Sequence, residues 1–391
     1  MKKVLLYYNF SFSFGGGDFL PLSFIAELQN ACDLTVALDK ADGLRQSADI
    51  YGITIDPSAF KVEQVTPKGY DIKRHNSYLS LYRSRRLKKL ARKADICISL
   101  SNITDFGKPA HHFMNMLAFG DDAFTAYVRS GKKTNGRRHF PAICRFFAGT
   151  LFRAILGMRT KSRIIRDPKE RVYPNSRFVE RLMTEFYGPF NSTVFYPPTL
   201  FAASSKSVQR DPLKVVCIGR ILREKRITDI IDIVKRARLL SNQDLTLHIA
   251  GRIDQEPAYG ETLRKIASQE RWIVLAGALY GKDKEDFLTS GTYAVHAERD
   301  EAFGISIAEY LVAGLVPIVP DEGGSCEVVD NPAVTYRTNE EAAQILARLL
   351  ADDDFRAQQQ SSCAARAKVF SRDAYLERQR ELLREILAGR R

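Results

Sequence analysis

Two hydrophobic patterns alternate along this chain of 391 residues. Short runs that are apolar at almost every position predict buried strands, and apolar residues three and four apart predict amphipathic helices. The first half contains predicted strands at 3–8, 34–38, 60–65 and 95–100 and predicted helices near 19–31, 78–93, 141–158 and 177–187. The second half contains predicted strands at 213–219, 245–251, 272–276, 293–297 and 315–319 and predicted helices near 228–240, 261–270, 282–288 and 305–313. Strands separated by helices form parallel sheets with right-handed crossovers, so the pattern predicts an α/β protein.

The length of the chain indicates two domains, because 391 residues exceed what one hydrophobic core usually holds. A linker is predicted around residues 196–207, where two prolines are followed by alanine, serine and lysine. The domains are therefore placed at 1–198 and 199–371.

The net charge of +13 is concentrated in the first half of the chain. Residues 68–93 carry a net charge of +9 and residues 129–172 carry +11, so the rest is acidic. The predicted helix 141–158 has an apolar stripe beside its arginines, as in helices that lie on a membrane surface. These segments predict a patch for an anionic membrane surface or a soluble acidic acceptor. The alternative is a core helix with a solvated basic face.

The six cysteines show neither metal spacing nor disulfide spacing, and most stand in or beside apolar runs. This usage is typical of a reducing compartment, so a cytoplasmic protein is expected. If the basic patch meets lipid, the protein would lie peripherally at the inner face of the membrane.

Open parallel sheets bind ligands beyond the carboxyl ends of their strands, so residues just after strands are candidates for a site. The first candidates are Arg220 and Lys225, in the loop after the predicted strand 213–219. An arginine fork and a lysine point charge can together hold two phosphates. The alternative is a pair of solvated charges on a surface loop.

The second candidate is the segment from Glu301 to Glu309, which leads from the predicted strand 293–297 into a helix. Unpaired amides at the helix start form an anion site, and Gly304 allows a phosphate or sugar to approach the backbone. Glu301 is then placed to face a sugar, and Glu309 to accept hydrogen bonds from a ribose. The alternative is a capping acid followed by an acid on the helix surface. No histidine or second acid stands at ligand spacing from Glu301, so no metal site is predicted.

A third candidate is the glycine turn at Gly323 and Gly324, directly after the predicted strand 315–319. Glycines at this place would keep one wall of a ligand cleft thin. An ordinary strand-to-helix turn is the alternative.

In combination these motifs resemble the family 4 glycosyltransferases, which are retaining enzymes of the GT-B fold. The resemblance covers most of the second half and implies that Arg220, Lys225 and Glu301 are catalytic. Arg220 and Lys225 would act by binding the diphosphate of the donor. It assigns further residues of the second half to nucleotide-sugar binding, namely Gly219, Arg252, Ala276, Gly277, Ala278, Phe303, Gly304, Ile305 and Glu309.

The first half resembles the family less closely. A glycine loop that includes Gly16 and Gly17 follows the first strand, where the family meets the donor phosphates. The segment 108–115 resembles one that often carries a functional histidine on the acceptor or sugar side. That position is occupied by Asn115, with His111 and His112 just before it, and the alternative is that both histidines are buried structural residues.

The resemblance implies two Rossmann-like domains that face an interdomain cleft. Residues 1–198 would bind the acceptor, residues 199–371 would bind the nucleotide-sugar, and the C-terminal helix, 372–391, would pack back on the first domain. The implied reaction is a retaining transfer of a hexose to a glycan or lipid-linked acceptor, in cell-surface polysaccharide or glycolipid assembly. No cofactor and no metal are implied, because positive groups of the chain would stabilise the leaving nucleoside diphosphate. The segment 301–305 is similar to mannosyltransferases that use GDP-mannose, and a UDP-linked donor stays open.

Two other classes of function remain. A different GT-B enzyme, such as a sugar phosphorylase or nucleotide-sugar epimerase, would share most of these residues. A nucleic-acid-binding protein would share the basic charge, but the basic clusters alternate with aliphatic residues where a single-strand binder has aromatic ones. No nucleic-acid partner is therefore expected.

Overall fold

The hydrophobic runs of the sequence form twelve strands within the described residues, six in each of two parallel sheets. The structure is a computed structural model that describes residues 1–9, 18–40, 42–67, 77–100, 102–114, 157–199 and 210–389. The chain divides into two units, one of Met1–Pro197 with Leu376–Arg391 and the other of Pro198–Tyr375. The predicted α/β class with parallel sheets is confirmed.

The first unit contains the strands β1 Lys3–Tyr8, β2 Asp33–Leu38, β3 Phe60–Gln64, β4 Ile96–Leu100, β5 His111–Met114 and β6 Arg171–Pro174. Its described helices before the second unit are α1 Phe19–Leu28, α2 Leu44–Ile50, α3 Ser77–Ala91, α4 Lys161–Ile165 and α5 Arg177–Tyr187. The sheet order is β3-β2-β1-β4-β5-β6, and every neighbouring pair is parallel.

The second unit contains the strands β7 Asp211–Ile218, β8 Thr246–Ala250, β9 Ile273–Gly277, β10 Gly291–Val295, β11 Val316–Pro320 and β12 Thr335–Tyr336. Its helices are α6 Ile227–Ser241, α7 Pro257–Gln269, α8 Gly281–Ser290, α9 Ile305–Val312, α10 Gly323–Val329, α11 Asn339–Ala351 and α12 Asp353–Ala367. The sheet order is β12-β11-β10-β7-β8-β9, again with parallel pairs.

The central strands are buried on both faces, which explains why their sequences are apolar at nearly every position. All five residues of β10 and all five of β11 are buried. The helices that cover the sheets often begin at side-chain caps. Ser176 accepts a hydrogen bond from the amide of Val179 at the start of α5, and Thr338 accepts one from the amide of Glu341 at the start of α11.

Both sheets reverse, at their centre, the direction in which successive strands are added. β4 lies beside β1 in the first unit, and β10 lies beside β7 in the second. In open parallel sheets the ligand site lies beyond the carboxyl ends of the two strands at such a reversal. The ends of β7 and β10 are therefore the first place to look for a site in the second unit.

The last helix, α13 Arg372–Ala388, packs on α1 although almost the whole chain separates them. Gln379 Nε2 donates a buried hydrogen bond of 3.0 Å to Ser23 Oγ. The second unit joins its own two ends in a comparable way, because Thr199 Oγ1 donates a buried hydrogen bond of 2.7 Å to the carbonyl oxygen of Phe370.

Three short strands, β5, β6 and β12, are absent from the sequence prediction. β5 and β6 have four residues each and β12 has two, so none gives a run long enough for a strand pattern. Most of the predicted helix 141–158 and the linker stretch 200–209 lie outside the described residues. None of the helices in the described ranges combines the length and apolar character that crossing a bilayer requires.

Candidate functional site

Two loops approach each other at the strand reversal of the second sheet. The first loop follows β7, where the amide of Gly219 donates to the carbonyl oxygen of Ala250 at 3.0 Å. It continues through Arg220 into a 3₁₀ turn, Arg223–Lys225. The second loop follows β10 and leads from His296 towards α9.

Lys225 and Glu301 meet between these two loops, although 76 positions separate them in the sequence. Lys225 Nζ lies 2.6 Å from Glu301 Oε2 and forms a second ion pair with Glu298. The exposed fractions of the three side chains are only 16%, 17% and 15%. Lys225 from the first candidate and Glu301 from the second thus belong to one largely buried cluster of charges.

The pKa shifts in this cluster follow from burial and from the neighbouring charges. Burial works against the charge of Lys225, but Glu301 and Glu298 outweigh it and hold the pKa of the ammonium above its ordinary value. Burial and the Glu301 carboxylate raise the pKa of Glu298, although Lys225 opposes this shift. Burial also acts to raise the pKa of Glu301, but the ammonium of Lys225 reverses the effect and lowers it. One ammonium therefore lies between two carboxyl groups of unequal acidity.

His296 is the third polar group of this loop and was not assigned from the sequence. Its side chain is 7% exposed, and Nε2 lies 3.7 Å from Glu301 Oε2 without a hydrogen-bond partner in the described part of the chain. Burial lowers the pKa of His296 to about 4, so the ring is neutral near pH 7.

The expectation that Glu301 has no histidine or second acid nearby is wrong in three dimensions. Polar atoms of His296, Glu298 and Glu301 lie within 4.8 Å of one another, which the sequence spacing conceals because all three share one short loop. Lys225 Nζ lies against both carboxylates, in the place that a divalent cation would need. The arrangement therefore does not identify a metal site.

Arg220 lies at the same strand end as Lys225 but is much more exposed. Its side chain is 63% exposed, and Nη2 lies 3.3 Å from Glu224 Oε1. An exposed pair of this kind contributes less than about 1 kcal/mol, so little holds the guanidinium in place. Arg220 can therefore turn towards a ligand at low cost.

Helix α9 begins at Gly304 without a side-chain cap. Gly304 has a φ of 93°, which glycine adopts far more readily than other residues, and a Cβ there would lie 2.3 Å from Cδ1 of Ile307. The first amides of an uncapped helix are suited to an anion. The side chain of Phe303 is buried in the core, so Phe303 can serve the site only through its backbone, whereas the side chain of Ile305 is exposed.

Glu309 lies on the buried face of α9 and is therefore not an acid on the helix surface. Its side chain is 4% exposed, and Oε1 accepts a hydrogen bond of 2.6 Å from Nζ of Lys284 in α8. A ribose hydroxyl that donates to Glu309 would therefore bind a carboxylate that already accepts a hydrogen bond from Lys284.

The glycine turn at Gly323 and Gly324 packs against the loop that carries Glu301. The amide of Gly324 donates to the carbonyl oxygen of Glu301 at 2.6 Å. A Cβ on Gly324 would lie 2.3 Å from the carbonyl oxygen of Ala302 and 2.7 Å from Cα of Phe303, closer than Cβ atoms come to backbone. The turn thus positions the backbone of the Glu301 loop.

The remaining nucleotide-site residues of the second half lie at the ends of β8 and β9. Arg252 follows β8 and is 56% exposed, with Nη2 3.0 Å from Asp254 Oδ2. Ala276 and Gly277 end β9, and the exposed Ala278 follows. Since β9 is two strands away from β7, Ala276 and Gly277 stand roughly 10 Å along the same sheet edge from the start of the Lys225 loop. That distance suits a ligand with a phosphate at one end and a base at the other.

In the first unit the glycines Gly16 and Gly17 lie outside the described residues, as does Asn115. Asp18 stands at the start of α1, but its side chain does not cap the helix. Its carboxylate accepts a hydrogen bond of 3.2 Å from the hydroxyl of Tyr8, and the residue is buried.

His111 and His112 lie inside β5, where both rings are buried. His111 Nδ1 is 2.9 Å from the hydroxyl of Tyr173, and burial lowers the pKa of His111 to about 3. His112 Nε2 is 2.9 Å from Oε2 of the buried Glu170. These contacts favour the structural interpretation of both histidines.

Sequence reasoning missed the roles of His296, Glu298 and Lys284. A signal existed for the first two, because they directly follow a buried strand, where a site was expected. The motif that identified the site runs from Glu301 to Glu309 and does not include them. Lys284 gives no signal, because it stands in a helix in which most residues are charged or polar.

Residues 202–368 match a family model described as glycosyl transferases group 1. The match covers most of the second unit, which includes the Lys225 cluster, and less than half of the chain. A search among curated protein sequences found no match.

Solved structures extend the comparison to nearly the whole chain. HepE from Anabaena, in complex with UDP and glucose, is 15% identical, with a TM-score of 0.66 over 98% of this chain and 100% of that chain. WaaG, a glycosyltransferase involved in lipopolysaccharide biosynthesis, is 15% identical, with a TM-score of 0.65 over 97% and 99%. Sucrose-phosphate synthase from Thermosynechococcus elongatus is 12% identical, with a TM-score of 0.67 over 99% and 100%.

The fold is that of the GT-B glycosyltransferases. At these identities the similarity extends to the GT-B architecture of both units. The roles of individual residues have to be argued from the site itself.

Proposed function

We propose that this protein is a glycosyltransferase that moves a hexose from a nucleotide-diphospho-sugar to an acceptor. The proposal depends on the meeting of Lys225 and Glu301 at the strand reversal of the second sheet, beside the uncapped start of α9. Positive groups suited to a diphosphate thus stand next to a carboxylate suited to a sugar hydroxyl. The family match over residues 202–368 supports the same activity.

Transfer of the sugar requires positive charge beside the leaving nucleoside diphosphate. When the bond between sugar and diphosphate breaks, the nucleoside diphosphate gains negative charge, which Lys225, Arg220 and the first amides of α9 would stabilise. Glu301 would bind a hydroxyl of the transferred sugar, and Glu309 would hold the ribose. Because cations of the chain carry the charge, the transfer is proposed to need no metal and no cofactor. Retention of configuration at the sugar is proposed from the family resemblance alone.

The donor is proposed to be a hexose linked to UDP or GDP. The HepE complexes contain UDP and UDP-glucose, which supports a uridine donor. The segment 301–305 supports mannose from GDP-mannose. The role of WaaG in lipopolysaccharide biosynthesis supports a glycan or lipid-linked acceptor and cell-surface polysaccharide or glycolipid assembly. A cytoplasmic location is proposed from the usage of the cysteines.

Thermal unfolding in the presence of nucleotides tests both donor binding and metal independence. UDP or GDP at 100 times its Kd should stabilise the fold by roughly 2.7 kcal/mol, and so raise the Tm of the second unit by roughly 5–10 °C. The shift should persist in EDTA, because Lys225 and Arg220 supply the positive charge. Arg220→Ala should weaken the shift while leaving the Tm of the nucleotide-free protein unchanged. A protein that responds to neither nucleotide would contradict the function, and a shift that requires Mg²⁺ or Mn²⁺ would contradict metal independence.

The other classes of function differ in their products and partners. A phosphorylase would respond to inorganic phosphate, and an epimerase would convert its nucleotide-sugar without extending an acceptor. A nucleic-acid-binding protein would retard random DNA in a gel, and the effect would weaken with salt.

An anionic membrane surface is proposed as the second partner, although part of the basic charge is used internally. Arg83 pairs with Asp39, and Lys88 lies 2.7 Å from Asp105. The exposed Arg85, Lys89 and Arg92 of the segment 77–93 remain suited to lipid phosphates. Each basic residue near an anionic leaflet contributes about 1 kcal/mol.

Flotation with liposomes tests this partner. Binding should rise with the fraction of anionic lipid and fall with salt, and Arg85→Glu should weaken it by roughly tenfold or more. The matched control is Lys265→Glu, an equal charge change on an exposed helix of the second unit. A protein that stays unbound on strongly anionic vesicles at low salt would leave a soluble acidic acceptor as the remaining candidate.

A further inference from the structure

The cluster around Lys225 contains more negative charge than one ammonium balances. Glu298 and Glu301 both pair with Lys225, and their carboxylate oxygens lie within 4.8 Å of each other. His296 adds no charge near pH 7, because burial keeps its ring neutral. Two carboxylates and one ammonium leave one negative charge where the donor's diphosphate has to bind.

The groups that face Glu298 come from both loops of the site. Lys225 faces it from the loop after β7, and Glu301 and His296 face it from the same loop after β10, each with a polar atom within 4.8 Å. The neighbouring Arg299 points elsewhere, since its Nη1 lies 2.6 Å from Glu322 Oε1. The charge state of Glu298 is thus governed by Lys225 and Glu301.

We propose that Glu298 is a further residue of the donor site, which holds Lys225 in the free protein and takes up a proton from solvent when the diphosphate engages Lys225. The inference rests on the proposed function, because it needs a diphosphate at Lys225. Once the ammonium is drawn to phosphate, two adjacent, largely buried carboxylates lose their counter-ion, and such a pair does not stay doubly ionised. One proton then enters the pair from solvent.

The proton goes to Glu298 rather than to Glu301 for two reasons. The polar ring of His296 stays close to Glu301, with Nε2 3.7 Å from Oε2. The pKa of Glu298 is also already raised in the free protein, whereas that of Glu301 is lowered. A protonated Glu298 donates its O–H to Glu301, which remains an ionised acceptor for a sugar hydroxyl. The bound proton also offsets one of the negative charges that the diphosphate brings.

Calorimetry of UDP and GDP binding, in buffers of different ionisation enthalpy, measures this proton directly. At pH 7.5 the wild-type protein should take up roughly half a proton or more for each nucleotide bound. The terminal phosphate, with a pKa of about 6, is ionised at that pH and does not contribute a proton uptake of its own. Since the bound state holds the extra proton, Kd should rise with pH between 7.5 and 9, by at most about tenfold per pH unit.

The variant Glu298→Gln assigns the proton to a residue. It should bind the nucleotide without proton uptake and with a Kd that is flat between pH 7.5 and 9. Glu340→Gln removes an equal charge from an ion pair with Arg236 in the same unit and should keep the wild-type proton uptake. Nucleotide binding by the wild-type protein without proton uptake, or uptake that persists in Glu298→Gln, would overturn the inference. If the variant fails to fold, the wild-type measurements decide alone, and a wild-type protein that binds neither UDP nor GDP refutes the proposed function itself.

Discussion

Alanine in place of Lys225 is expected to lower turnover by roughly 10²–10³-fold, as loss of a single preorganised charge at a leaving group does. The same substitution should lower the free energy of unfolding by about 1–3 kcal/mol, because it leaves the carboxylates of Glu298 and Glu301 together without a counter-ion. Turnover is measured as release of nucleoside diphosphate from the donor, and stability by urea unfolding. The two losses have different causes and can be separated.

Two further variants make that separation. In the double variant Lys225→Ala with Glu298→Gln, the like charges are gone, so much of the stability should return while turnover stays low. Arg220→Ala should lower turnover by roughly 10-fold to 100-fold through one charge-assisted bond, with a stability change within about 0.5 kcal/mol because the side chain is exposed. Wild-type turnover in Lys225→Ala would remove this lysine from the donor site.

Gly324→Ala is expected to impair the site without touching any charged group. The added Cβ would meet the backbone of Ala302 and Phe303 at 2.3 Å and 2.7 Å, and backbone cannot rotate away as a side chain can. The loop of Glu301 therefore has to shift, which should cost about 1–3 kcal/mol of stability. A displacement on the order of 1 Å at a catalytic group lowers turnover by about 10²-fold.

Gly291→Ala provides the matched control for this substitution. Gly291 is the first residue of the central strand β10, at the end of the strand away from the site. A Cβ there would lie 2.8 Å from Val216 Cγ1. We expect a comparable loss of stability with turnover close to that of the wild-type protein. Equal losses of turnover in both variants would mean that Gly324 acts through general stability and not through the Glu301 loop.

The fold was predictable because its signal is repeated along the chain. Short, β-branched apolar runs such as 213–219 and 293–297 are typical of buried strands, and they alternate with amphipathic stretches. The strands β5 and β12 escape prediction for the opposite reason. With four and two residues, they are defined by their neighbours in the sheet and not by a pattern of their own.

The candidate site was predictable only as separate pieces. Arg220, Lys225 and Glu301 were predicted because each follows a strand. The ends of those strands lie side by side because of the order of the strands in the sheet, which the sequence pattern does not give. The pairing of Lys225 with Glu298 lay outside any sequence argument, since the two belong to different loops. Burial was equally hidden, because nothing in the sequence indicates that Glu309 faces inwards or that Lys284 neutralises it.

The contact between α13 and α1 sets an order for folding during synthesis. Gln379 and Ser23 are 356 positions apart, so the last helix can join the first unit only after the ribosome has made the second. Closing so long a loop is costly for a disordered chain. The second unit, however, ties residue 199 to residue 370 by its own buried hydrogen bond. Once it has folded, its 178-residue stretch spans little more than a short loop would. The last helix then has only the short separation between residues 199 and 370 to bridge before it reaches α1.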